Sequence, residues 1–143
     1  MALLWGHPGR ALGSVGGRCL YVVMDILRTT FVFDAADIEA ESSFWAAMYG
    51  GTVEADDDWH TVVAGGEAKL DIQLAPNHVR PAWPGGDQQQ QAHLDLHVPD
   101  IRSADEEARG LGAVVLQKAD LSKPSGFVVY ADPAGHPFCL CWG

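Results

Sequence analysis

The stretch Ala92-His93-Leu94-Asp95-Leu96-His97-Val98-Pro99-Asp100-Ile101 decides the fold, because it alternates like a half-buried strand and then turns into a helix start. A constant offset of 63 residues ties it to an upstream partner, Thr30 matching His93, Asp37 matching Asp100 and Ile38 matching Ile101. Asp37 and Asp100 both stand where a helix N-cap belongs. Behind Asp37, Ile38, Glu41, Ser42, Trp45, Met48 and Tyr49 recur at helical spacing until Gly50-Gly51. Behind Asp100, Ile101, Ala104, Ala108 and Leu111 do the same until Gly110 and Gly112. This second helix is shorter, so Gly50 and Val53 match Gly112 and Val115 at an offset of 62. Three strand-like runs follow each helix: Thr52 to Ala55, Trp59 to Ala64 and Lys69 to Leu74, then Ala113 to Gln117, Phe127 to Tyr130 and Pro137 to Trp142.

The order predicts an α+β fold of two βαβββ modules forming a concave mixed sheet with helices on the outside. Module one spans 26–75, a Pro- and Gln-rich linker 76–91, and module two 92–143, with a flexible N-terminal extension over 1–24. That extension lacks the unbroken apolar centre of a secretory signal, and Met24 is an alternative start.

With 143 residues, 48% of them hydrophobic and 20% charged, a single folded domain is expected. Nineteen acidic residues against nine Lys and Arg leave a charge of −10, which argues against nucleic acid and against an anionic membrane surface as partners. No apolar run reaches the roughly 18 residues of a membrane span. Cys19, Cys139 and Cys141 form no disulfide framework, and a cytoplasmic location is expected.

Alternation also sorts the faces. Leu94, Leu96 and Val98 belong beneath a helix, leaving His93, Asp95 and His97 on the opposite side. By the same rule Cys139 and Cys141, Asp71 and Gln73, and Thr30 and Asp34 join that side, whereas Phe31 and Phe33 face the core. A merely solvated sheet face is the plain alternative, but two cysteines there argue for an enclosed pocket. Trp83, alone between prolines, either pins the linker or lines the mouth of that pocket. His136 is read as part of the Asp132-Pro133-Ala134-Gly135 turn, His60 as a strand-edge residue and His78 as a linker residue, none with a chemical role.

Phe44-Trp45 through Gly50-Gly51, His93 through Asp100, Arg80-Pro81-Ala82-Trp83-Pro84 and above all Tyr130 through Leu140 resemble the vicinal oxygen chelate superfamily, the glyoxalase, bleomycin-resistance and dioxygenase group. Within it the chain is similar to glyoxalase-like domain proteins of the actinobacterial type. The resemblance implies a pocket between the modules, a small-molecule ligand, a homodimer and, in metal-dependent members, four ligand positions. These fall on Thr30, Asp71 (or Gln73 if the register slips by two), His93 and Cys139. Only His93 is the usual residue type, and Cys139 replaces a carboxylate, so neither glyoxalase nor dioxygenase chemistry carries over.

Three readings follow. His93, Asp71 and Cys139 hold a zinc ion in a divergent lyase or isomerase-type site. Alternatively, the protein captures a ligand without metal, using Thr30, Gln73, Asp95 and His97, with Trp59, Trp83, Trp142, Tyr49 and Tyr130 as flat contacts. In the third, His93 paired with Asp71 or Asp95 acts as a metal-free general base.

Overall fold

The computed structural model describes residues 26–143, so the extension 1–24, with Cys19 and Met24, lies outside the described residues. Helix α1 (Ile38–Tyr49) follows strand β1 (Val32–Ala35) and precedes β2 (Thr52–Ala55), β3 (Trp59–Ala64) and β4 (Glu67–Leu74). The pattern then repeats as β5 (Leu94–His97), α2 (Ile101–Gly110), β6 (Val114–Gln117), β7 (Gly126–Ala131) and β8 (Pro137–Trp142). The two βαβββ modules are therefore present. Their strands form two four-stranded mixed sheets, ordered β1-β4-β3-β2 and β5-β8-β7-β6.

Both caps form as the sequence implies. The Asp37 side chain accepts from the Ala40 amide at 3.0 Å, and Asp100 from those of Arg102 and Ser103. Each cap contributes about 1 kcal/mol. Gly50 ends α1 with φ +63°, the left-handed conformation that glycine adopts without penalty. At Gly51 the backbone passes so close to β3 that a Cβ would sit 2.1 Å from the Val63 carbonyl oxygen.

One hydrophobic core runs through the molecule, combining Phe33, Leu70 and Ile72 of the first sheet with Tyr130, Phe138 and Leu140 of the second. Helix α1 joins them. Its Trp45 ring is fully buried, stacked 5.5 Å from Phe33 and edge-on to Phe138 at 5.2 Å. Burying such a ring against both sheets contributes about 3 kcal/mol, enough to make this helix the joint between modules. Helix α1 is thus not confined to the outside of its own sheet; its aromatic face reaches the neighbouring sheet as well. Because the inner faces of both sheets share this core, their outer faces turn away from it.

Strand β1 begins at Val32, three residues after the alternating run that starts at Thr29, so Thr30 precedes the strand, and Phe31 is partly exposed rather than core. His60 is not an edge residue. It lies in an interior strand, 2% exposed, with Nδ1 hydrogen-bonded to Ser42 Oγ at 2.8 Å.

Candidate functional site

Strand register assembles the outer face of the second sheet. Asp95 pairs with Cys139 and His97 with Cys141 across the parallel β5–β8 ladder, so the pleat sends all four side chains the same way. His93 joins them one step before the strand, its Nε2 3.3 Å from Asp95 Oδ1. A nitrogen, an oxygen and a sulfur donor, from His93, Asp95 and Cys139, lie within 4.8 Å of one another. The first two are about half exposed, while Cys139 is buried. Burial, then the hydrogen bond and charge of Asp95, push the Cys139 thiol up to about 12. An inert thiol at neutral pH is the result unless a cation displaces its proton. Trp83 stands beside this group, its ring 6.4 Å from that of His93.

The outer face of the first sheet carries the other expected residues. Val32, Asp71 and Thr61 form one row across β1, β4 and β3, and Asp34, Gln73 and Trp59 the next. Asp71 is 5% exposed and its Oδ1 has no hydrogen-bond partner. It lies outside both groups of closely spaced donors among the described residues, so His93, Asp71 and Cys139 do not converge as one trio. The register supplies Asp95 in place of Asp71.

The second close group was not anticipated. Glu41, Asp132 and His136 lie buried between the modules. His136 Nδ1 is 3.0 Å from Asp132 Oδ2 and 3.3 Å from Glu41 Oε1. Trp45 Nε1 donates to Glu41 at 2.9 Å and to Asp132 at 3.1 Å, and the Ala134 amide donates to Glu41 Oε2 at 2.8 Å. Burial pushes the Glu41 carboxyl up to about 7 against the pull of His136. Burial alone would depress the His136 imidazolium, but the bonds and charges of Asp132 and Glu41 outweigh it and hold it at about 9. Asp132, despite burial, stays below the usual carboxylate range because His136 and Glu41 hydrogen-bond it. The sequence did carry a signal for this cluster: Asp132 and His136 flank one tight turn, and Glu41 and Trp45 share a helix face at i, i+4.

A cavity of about 430 Å³ does open between the modules, but its walls are β1, the linker and His136 rather than the expected trio. The linker is strapped to the β7–β8 turn, His78 Nε2 meeting the Ala134 carbonyl at 3.0 Å and Arg80 donating to that of Pro133. Of the aromatics expected to meet a ligand, Tyr130 is instead a core residue whose hydroxyl donates to Asp105 at 2.6 Å, anchoring α2. Trp142 Nε1 donates to the Lys123 carbonyl.

The fold has many solved counterparts. The fosfomycin resistance protein FosX of Listeria monocytogenes superposes with a TM-score of 0.61 at 11% identity, over 84% of this chain and 95% of that one. A glyoxalase-related enzyme from Fulvimarina pelagi gives 0.61 at 19% identity, over 82% and 89%. Lactoylglutathione lyase from Agrobacterium tumefaciens gives 0.55 at 15% identity, over 84% and 96%. At such identities the likeness is one of fold. No curated protein matches the sequence. No helix among the described residues is long and apolar enough to cross a membrane. A sequence profile described as "Glyoxalase-like domain" matches residues 30–141, and the chain belongs to that family.

Proposed function

We propose that the chain is a cytoplasmic small-molecule-binding protein whose ligand docks on the outer face of the second sheet, gripped by His93, Asp95 and Cys139. The convergence of these three donor atoms within 4.8 Å carries the reading. A half-exposed imidazole and carboxylate beside a buried thiol suit zinc, which takes four such donors and here would leave one position for ligand or water. When bound, the ion would supply a Lewis acid toward a carbonyl group. The chain's own residues do the rest. Asp95 orients the His93 ring through their 3.3 Å contact, and Trp83 offers a flat apolar wall beside it. With Cys139 held as a thiol, covalent catalysis by sulfur has no support.

A homodimer belongs to the same reading. Exposed Val32 and Trp59 on one outer face, and Val114, Leu116 and Phe127 on the second module, are apolar surface that a second copy would cover. The buried, unpartnered Asp71 Oδ1 is a further reason to expect something opposite the first sheet.

Untagged protein titrated with zinc in a calorimeter tests the proposal. One ion per chain is expected, with affinity falling at least ~10-fold in His93→Ala. Equal binding by the variant, or none by either, would overturn the metal site. Metal-free capture of a cationic aromatic would then remain, favoured by Asp34, Asp71 and Asp95 on the outer faces, and saturable tryptophan quenching without product would identify it.

A further inference from the structure

We propose that the cavity between β1, the linker and the β7–β8 turn is a second binding site, for a flat neutral carbonyl compound such as an aromatic amide, with His136 Nε2 as its hydrogen-bond donor. The site is independent of the zinc reading, because its walls include none of His93, Asp95 and Cys139.

Three observations carry it. His136 is 7% exposed and its ring lines the cavity. Its Nδ1 is committed to Asp132 and Glu41, so the imidazole cannot swing. Nε2 has no hydrogen-bond partner among the described residues and is not among the atoms sealed from solvent, and the residue that carries it forms part of the cavity wall. A nitrogen that is fixed in direction, reachable from the cavity side and without a protein partner, on a residue otherwise buried, is a polar group a ligand can use.

The surroundings select the ligand. Two carboxylates around Nδ1 keep the ring protonated, so Nε2 offers a proton and requires an acceptor. Phe33 stacks on the His136 ring at 4.4 Å and Phe31 meets Phe33 edge-on at 4.9 Å, so the aromatic wall suits a flat molecule. Asp34 on the rim and Glu41 with Asp132 behind the ring repel an anion, while the imidazolium repels a cation. The glutamines at positions 88–91 complete the rim with amides able to meet the ligand's own N–H.

The test is a titration of isotopically labelled full-length protein with benzamide, following the His136 imidazole resonances by NMR, with benzoate and benzylamine in parallel. Benzamide should shift the His136 signals saturably, leave those of His93 unmoved, and bind about tenfold tighter than either charged analogue. Phe31→Ala, at a partly exposed position whose truncation spares the core, should weaken binding about fivefold. An unmoved His136 up to the solubility limit would overturn the proposal. So would tighter binding of benzoate or benzylamine, or equal affinity in Phe31→Ala.

Discussion

The two histidine-containing trios use nearly the same chemistry in opposite surroundings. Glu41 and Asp132 are at most 1% exposed, and their oxygens meet an imidazole, an indole and two backbone amides. His93 and Asp95 have side chains about half exposed, and their contact with each other leaves most of their hydrogen-bonding capacity to the solvent side. The first trio joins α1 to the β7–β8 turn and so holds the modules together. The second sits on a sheet face, with two of its three side chains half open to solvent. Donor type alone does not make a site; a site needs donors whose bonds are unspent, a measure that the His93 trio, His136 Nε2 and Asp71 Oδ1 meet and the carboxylates of Glu41 and Asp132 do not.

Truncation should separate the trios most sharply. Glu41→Ala strips the Ala134 amide of its acceptor, takes one of two acceptors from the Trp45 indole and leaves His136 with less counter-charge, all inside the core. We expect a loss of ~3–5 kcal/mol, the usual cost of breaking a buried charged network. His93→Ala removes a half-exposed ring and should stay within ~0.5 kcal/mol. Urea denaturation of both variants measures the contrast, and comparable losses would erase it.

A gentler probe is pH. Glu41 is raised from 4.5 to about 7, so its contribution to stability is complete below 4.5 and is lost as pH rises through 7. His136 is raised from 6.5 to about 9, so its contribution is complete below 6.5 and is lost as pH rises through 9. Asp132 is lowered and acts at the acid end, its contribution present above 3.8 and fading as pH falls. Thermal stability should therefore decline between about pH 5 and 9, by ~5 °C or more. Glu41→Gln should flatten the part of that decline below about pH 7. A flat wild-type profile would mean that Glu41 and His136 do not hold their protons as tightly as described.

How far the sequence could be read follows from the range of each signal. Alternation and helix caps are local, so both modules, both capping aspartates and the split of β5 and β8 into two faces were legible from residues a few positions apart. Alternation puts His93, Asp95 and Cys139 on one face and resemblance adds ligand roles for His93, Asp71 and Cys139, but that Asp95 rather than Asp71 stands beside Cys139 follows only from the β5–β8 register. Glu41 and His136 stand 95 positions apart, and nothing local says that α1 crosses to the other sheet. The helix stripe containing Glu41 and Trp45 was visible, but which core it enters is a question of tertiary packing. Tyr130 lies in the core rather than in a pocket for the same reason, an aromatic in a strand being equally suited to both.

The smallest expected effect distinguishes Cys139 from an activated thiol. At pH 8 a thiol raised to about 12 holds only ~10⁻⁴ of its population as thiolate, so iodoacetamide should modify it far more slowly than a free cysteine. Cys141, also raised by burial and then by the Asp95 charge, is less enclosed and should react first, so Cys141→Ser is the background in which to watch Cys139. Adding Asp95→Asn removes a negative charge and a hydrogen bond that favour the protonated thiol. Burial remains the larger cause, and the alkylation rate should rise only a few-fold. Intact-mass spectrometry over a time course reads both rates. A large acceleration would place the carboxylate rather than burial in control of the sulfur, and Cys139 would then belong to the exposed trio electrostatically as well as geometrically.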